Sequence, residues 1–345
     1  MKILVVGGTG TISTDVTKLC IKKDFDITLL NRGNKPNRLP SGASTTQWVL
    51  DINNEEAVKS RMGDEFFDVV VNFINYTTDE IERDIRLFSG RTSQYIFIST
   101  ASAYQKPRSQ FMITESTPLS NPHWEYSRKK IACEDRLMQE YRDKGFPITI
   151  VRPSHTYDDY KLPLCIHGGK GSWSTLKRIQ DGKPVLVVGD GNTLWPLTHS
   201  KDFAKAFVGL MGNVRAIGEA VHITTDEALT WNQIYEAIGS AVGVKPKLYH
   251  VATDFITAVS PSHRGPLHGD KSVTLLFDNS KIKRLVPGFV ADIRFDQGVK
   301  VAVKNHLDDV NMQIDDPDFD RFTDAIVNAQ EVAIKMLRER IQKSD

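Results

Sequence analysis

Cysteine is scarce in this chain: Cys20, Cys133 and Cys165 are the only three in 345 residues. They are odd in number and far apart, so they supply neither a disulfide framework nor a metal-binding spacing. A reducing, cytoplasmic setting is expected. Long apolar runs are missing too. Nothing approaches the roughly 20 residues of a membrane span, and the apolar run after Met1-Lys2 is too short for a secretory leader. Charge of one sign is also lacking. Lys and Arg total 44 against 43 Asp and Glu, a net of +1 with no long basic run. Neither nucleic acid nor a membrane surface would gain electrostatic attraction from it, so neither is expected as a partner. The nine histidines show no paired ligand spacing, and no metal is expected. Internal repeats, low-complexity tracts and a clear linker are absent as well.

What remains is an ordinary globular composition, 40% hydrophobic and 25% charged, enough for one large α/β unit or two closely joined domains. Short apolar runs alternate with helical patterns. ILVV (3–6), DITLLN (26–31), TTQWVLD (45–51), DVVVNFI (68–74), YIFIST (95–100) and ITIVRP (148–153) read as strands. TISTDVTKLCIKK places Ile12, Val16, Leu19 and Cys20 on one helical face. DEIERDIRLF (79–88) and YSRKKIACEDRLMQEY (126–141) are further helices. Continuous Val/Ile strands between helices predict a parallel sheet covered on both faces. Beyond Pro153 the pattern loosens. KLPLCIHGGKGSW (161–173) and SPSHRGPLHGD (260–270) read as loops, and a final amphipathic helix follows Asp315. The expected division is a cofactor domain over 1–160, with later segments returning to it, and mainly a substrate lobe over 161–345.

The first strand runs into Gly7-Gly8-Thr9-Gly10-Thr11-Ile12-Ser13. Gly7 suits a tight turn, Gly10 a close approach of backbone to a pyrophosphate, and the following helix N-terminus at Thr11 and Ile12 favours its charge. Ser13 stands where a third glycine would allow the closest helix-strand packing. The second strand ends in Asn31-Arg32-Gly33 rather than in an acid. Asn31 removes a charge that would repel a 2′-phosphate, and Arg32 either pairs with that phosphate or is a solvated loop arginine. The expected cofactor is NAD(P), leaning to NADP. Asp51-Ile52 can face the adenine amino group, begin the next helix, or both.

Tyr126 and Lys130 lie four apart on one predicted helical face. A nearby ammonium favours the phenolate, and the pair can move a proton to or from a substrate oxygen while a nicotinamide moves a hydride. Ser99-Thr100 ends the fifth strand, at the carboxyl end where open α/β sheets bind ligands.

Taken in order, GGTGTIS, Asp51-Ile52, YIFISTASAY, YSRKK, ITIVRPSHTY and GDGNTLWPLTHSKDFAKAFV resemble the extended short-chain dehydrogenases/reductases, the NAD-dependent epimerase/dehydratase family. The resemblance covers roughly residues 1–290. It implies a Rossmann-like doubly wound parallel sheet with a smaller C-terminal α/β substrate lobe. It also implies catalytic Thr100, Tyr126 and Lys130, with Lys130 holding the nicotinamide ribose and Pro153 and Ser154 near the nicotinamide. A homodimer is a further implication. Ala101-Ser102-Ala103-Tyr104 lacks the acidic pair of the family's 4,6-dehydratases, which argues against that dehydration. Trp195 stands where the UDP-sugar epimerases place an arginine on the diphosphate, so a nucleotide handle is not expected.

Candidate substrate contacts are Ser102, His155, Trp195 and Arg264. Each has a plainer alternative: a structural histidine for His155, a core tryptophan for Trp195, a solvent-facing arginine for Arg264. His167, Lys170 and Trp173 form either a lid or an ordinary loop, and His199 is expected to be structural. The expected function is hydride transfer at a sugar-like hydroxyl or ketone, as epimerisation or net redox chemistry. The alternatives are an NADP-dependent reductase of a non-nucleotide ketone or aldehyde, and a non-catalytic cofactor-sensing or RNA-binding relative.

Overall fold

The computed structural model describes residues 1–34, 38–39 and 44–342. Its core is a seven-stranded sheet in which every pairing is parallel. The elements that build it are β1 (Lys2–Val6), α1 (Thr11–Lys22), β2 (Asp26–Asn31), β3 (Thr46–Val49), α2 (Glu55–Met62), β4 (Val69–Asn72), α3 (Thr78–Phe88), β5 (Tyr95–Ile98), α4 (Glu125–Lys144), β6 (Ile148–Pro153), α5 (Ser200–Leu210) and β7 (Glu219–Ile223). Across the sheet they run β7-β6-β5-β4-β1-β2-β3. The order reverses at β1, which makes the carboxyl ends of β1 and β4 the topological switch point where such sheets take ligands.

The pleat explains the continuous apolar strands. Ile3 and Val5 point into a core shared with Val16 and Cys20 of α1 and Phe203 and Phe207 of α5. Leu4 and Val6 point into a second core with Val58, Ile81, Phe88, Cys133 and Leu137 from α2, α3 and α4. Both faces are buried, and both parities of β1 are accordingly apolar. None of the three cysteines is in a disulfide, and Cys20 and Cys133 are buried in these two cores.

Contacts divide the chain into two units. One comprises Met1–Asp158, Pro196–Ala228 and Arg264–Ile293; the other comprises Asp159–Trp195, Leu229–His263 and Arg294–Asp345. Thus α5, β7 and residues 264–293 belong with the sheet. The second unit pairs Pro184–Val188 with Lys247–Val251 in parallel and packs the helices Trp173–Gln180, Trp231–Ala241, Phe295–Asp308 and Pro317–Ile341. Among the described residues no helix is long and apolar enough to cross a membrane.

Residues 260–270 depart from the expected loop. Arg264–Pro266 and Leu267–Lys271 are helical turns. Proline is at home in a first turn, and the glycines are used for packing. A Cβ on Gly265 would stand 2.5 Å from Trp124 Cδ1, and one on Gly269 would stand 2.9 Å from Trp124 Cβ.

A buried polar cluster ties β4, α3 and β5 together. The fully buried Asp84 carboxylate accepts from Asn72 Nδ2 at 2.6 Å, Asn75 Nδ2 at 2.7 Å and Tyr95 OH at 2.6 Å. Arg83 pairs with its other oxygen at 2.7 Å and also donates to Asn75 Oδ1 at 2.7 Å. Burial pushes the Asp84 carboxyl up, against the opposing pull of Arg83 and the hydrogen bonds. Replacing Asp84 by Ala would leave the Arg83 charge buried without its partner. Urea unfolding of Asp84→Ala should therefore show a loss of about 3–5 kcal/mol.

Candidate active site

The glycine turn is closed by the residue that departs from the glycine pattern. Gly7 has φ +79°, and a Cβ there would meet Ile74 Cγ2 at 2.4 Å. Only glycine allows both the conformation and this approach of the β1 end to the β4 end. Gly10 is the N-cap of α1. Its N–H donates to Ser13 Oγ at 2.8 Å, and Ser13 Oγ donates to the Gly7 oxygen at 2.8 Å. Ser13 therefore latches the turn from inside. The first-turn N–H groups of Thr11 and Ile12 lack intrahelical acceptors, so they are the ones able to meet an anion.

At the β2 end, Asn31 Oδ1 accepts the Gly33 N–H at 2.9 Å. Arg32 between them is exposed. Asp51 is exposed and accepts the Asn53 N–H at 2.9 Å, while Ile52 is buried. The cap of α2 is Asn54, whose side chain accepts from Ala57, rather than Asp51 itself. A depression of about 680 Å³ lined by Asp51, Asn53, Asn54, Glu55 and Glu56 opens beside them.

Beyond the β5 end, Thr100 caps a short turn over Ala101–Ala103. Its hydroxyl lies 2.9 Å from Ser102 Oγ, which lies 2.7 Å from Ser127 Oγ. Asn121 Nδ2 donates to the Ser102 oxygen at 2.8 Å and reaches Ser127 Oγ at 3.3 Å. Thr100 lies close enough to the Tyr126 phenol to favour its ionised form. Tyr126, Thr100 and Ser102 thus converge, with Asn121 and Ser127 as supports that residue type alone had not flagged. Ser99 is diverted instead: its hydroxyl donates to Glu134, which is paired with Arg152 at 2.5 Å.

Lys130 is buried on the same face of α4 as Tyr126. Its ammonium donates to the Asn75 oxygen at 2.5 Å and the Ile98 oxygen at 2.7 Å, and lies 6.0 Å from the centre of the Tyr126 ring. Burial lowers it to about 8. The expected lowering of the tyrosine by Lys130 is not found, because the ammonium is turned onto these carbonyls. Burial instead pushes the phenol up to about 12; Thr100 lowers it, while Tyr76 and Asp270 raise it further. Tyr126 therefore carries its proton at neutral pH.

Pro153 closes β6 beside Ile223 of β7. Ser154 follows, with its buried hydroxyl lacking a hydrogen-bond partner. The close-packed Gly7 cradle, the free N–H groups of Thr11 and Ile12 and this orphaned hydroxyl fit a dinucleotide lying across the switch point.

The remaining candidates lie elsewhere. His155 begins a short strand, His155–Tyr157, paired with Leu197–His199. His199 caps α5 and meets Tyr157 edge-on, a structural role. Arg264 is exposed and acts electrostatically on His123. In the second unit Trp195 is 1% exposed and packed on Trp231 at 5.2 Å, which leaves no ring face for a sugar. The His167 segment is fastened rather than free: the Lys170 N–H donates to Asp316 at 3.0 Å and Trp173 Nε1 to Asp315 at 3.2 Å.

Comparison with known proteins bears on family and fold. A model of the NAD dependent epimerase/dehydratase family matches residues 3–224. A 2′-dehydrokanamycin reductase of Streptomyces kanamyceticus is 25% identical over 246 residues, 70% of this chain and 67% of that one. The chloroplast stem-loop binding protein of 41 kDa b from Arabidopsis thaliana is 28% identical over 262 residues, 72% of this chain and 65% of that one. The chain thus spans about two thirds of the length of these curated relatives. Among solved structures, a dTDP-glucose 4,6-dehydratase of Bacillus anthracis in complex with NAD superposes with a TM-score of 0.72 at 19% identity, covering 90% of this chain and 98% of that one. That likeness is one of fold.

The serine latch has a measurable consequence. Ser13→Gly would match the three-glycine pattern but remove both hydrogen bonds of the Ser13 hydroxyl. Thermal unfolding should show a loss of about 1–2 kcal/mol, not a gain.

Proposed function

The chain belongs to the NAD dependent epimerase/dehydratase family, and on that premise we propose that it is an NAD(P)-dependent oxidoreductase or epimerase. Its substrate is a sugar-like molecule presenting a hydroxyl or ketone to Tyr126. The observation that carries the reading is the hydroxyl chain Thr100–Ser102–Ser127, held by Asn121, at the end of β5 where Thr100 acts on the Tyr126 phenol.

A bound nicotinamide would take or give the hydride at the substrate carbon. Gly7, Gly10, Thr11 and Ile12 would hold its pyrophosphate, Lys130 its nicotinamide ribose, and Pro153 and Ser154 would border its ring. Tyr126 moves the proton at its phenol oxygen. With the phenol raised to about 12, its resting role is acid: it donates to a ketone oxygen as that oxygen gains charge. In the reverse direction it accepts the hydroxyl proton, and Thr100 steadies the phenolate by donating to it. Thr100 and Ser102 orient the substrate oxygen. The relative that reduces a dehydrokanamycin supports a ketone on a sugar-like ring without a nucleotide. The absence of a basic run at a net charge of +1 gives the stem-loop-binding relative no weight as a second reading.

For the cofactor, Asn31 in place of an acid, with Arg32 exposed beside it, favours NADP. NADP should bind about tenfold more tightly than NAD, and Arg32→Ala should narrow the gap; equal affinities in titration calorimetry would remove the preference. For the chemistry, mass spectrometry of the copurifying nucleotide and a turnover screen of sugars and sugar nucleotides come first. On the substrate found, Tyr126→Phe should lower kcat by at least about a hundredfold with an unchanged melting temperature. Full turnover in that variant would refute the acid/base assignment.

A further inference from the structure

The helix Pro317–Ile341 carries an apolar stripe that outlasts its partners. Phe319, Thr323 and Ile326 recur at four- and three-residue steps and are buried. There the helix packs on the strand Pro184–Val188 and the helix Trp173–Gln180. The same steps continue through Gln330, Ile334, Leu337 and Ile341. No described residue covers this second half. Every residue from Glu331 to Gln342 is exposed, with Ile334 at 40%, Leu337 at 57% and Ile341 at 63%. A helix end with water on all sides has no use for an apolar face that keeps its period.

Charge along the helix says what covers it. Residues 315–324 hold five aspartates and one basic residue, Arg321. Lys177 pairs with Asp315, and Arg178 is shared by Asp320 and Asp324, so this base stays negative. From Lys335 to Arg340 the sign reverses, with three basic residues against Glu339. Among the described residues Lys335 and Arg338 form no ion pair. Glu331 lies between the two ends and accepts from the Tyr249 hydroxyl at 2.9 Å. A second helix of the same sequence laid parallel would set like charge on like. Laid antiparallel, it turns each basic tip toward the other's acidic base. The apolar stripe matches in the same arrangement. Setting Ile334 against Leu337 of a second copy also sets Gln330 against Ile341. Glu331 then comes within a turn of Arg338 on the same flank, and twofold symmetry makes that contact twice. The exposed stretch is about 16 Å long, so each tip ends where the other helix leaves its own packing.

We propose that the exposed half of Pro317–Ile341 is a self-association surface, covered by a second copy of this chain as an antiparallel helix pair. A lipid surface or an unrelated protein would not call for a helix whose charge reverses about its own apolar stripe. The proposal does not rest on the functional reading, because none of these residues is assigned to the site around Tyr126.

Sedimentation equilibrium on the full chain, loaded from about 1 to about 200 µM, tests this. The parent should pass from monomer to dimer across that range, and less readily in roughly 0.5 M salt than in low salt. Leu337→Glu and Ile341→Glu should each weaken the dimer at least about tenfold. Both side chains are exposed, so the melting temperature of the dilute protein should not move. Glu331→Arg and Arg338→Glu should each weaken association. Combined in one chain they should restore it, because the pair is then reversed rather than lost. Three results would overturn the proposal: a monomer at every concentration, a dimer indifferent to both glutamate substitutions, or a double reversal no tighter than its single variants. Binding of a monomeric chain to phosphatidylglycerol vesicles, lost in Leu337→Glu, would overturn it too and assign the stripe to lipid.

Discussion

A lysine ammonium with almost no access to water must find its acceptors in the protein, and the Lys130 ammonium finds them on two main-chain carbonyls. One belongs to Asn75, just past β4; the other belongs to Ile98, the last residue of β5. The buried charge therefore pins the ends of adjacent strands to α4, the helix that also carries Tyr126. Its position is as much a requirement of solvation as of chemistry, because an ammonium without such acceptors would not remain charged there. The partners of Asp84 extend the constraint: they hold the Asn75 side chain and so fix the carbonyl that Lys130 uses.

Around this point the site divides its work between side chains that face a ligand and side chains that hold the first group in place. Thr100 reaches Ser102, while Ser127 and Asn121 fix Ser102 from behind. The glycine turn follows the same logic. Ser13 occupies the Gly10 N–H, and the next N–H groups remain for an anion. A departure from the three-glycine pattern thus becomes a different way of holding the same loop.

The parts legible in the sequence were those set by local periodicity or by chain order. ILVV reads as a strand buried on both faces because both parities are apolar, and Asp26–Asn31 and Ile148–Pro153 end where the reading put them. Tyr126 and Lys130 share a helical face through spacing alone. What escaped depends on tertiary approach. Nothing local reveals that the oxygen of Asn75 receives an ammonium, that Ser13 reaches back to Gly7, or that Asn121 ties Ser102 to Gly269. The Pro/Gly content of 260–270 reads as a loop, whereas Gly265 and Gly269 sit in helical turns and are small to admit Trp124. For Trp195 the sequence leaves a ligand platform and a core tryptophan both open, and packing on Trp231 decides for the core.

The Asp84 cluster also shapes how such a protein can change. Its residues are buried around β4, α3 and β5, and the chain Asp84–Asn75–Lys130 runs from there to the helix that carries Tyr126. Substitutions that repack α3 against β4 would move a carbonyl on which the lysine depends. Thermal robustness and turnover are therefore not separately adjustable traits here. A lineage under selection for one would carry the other with it, and its freedom to vary lies at positions such as Arg32, outside that chain of contacts.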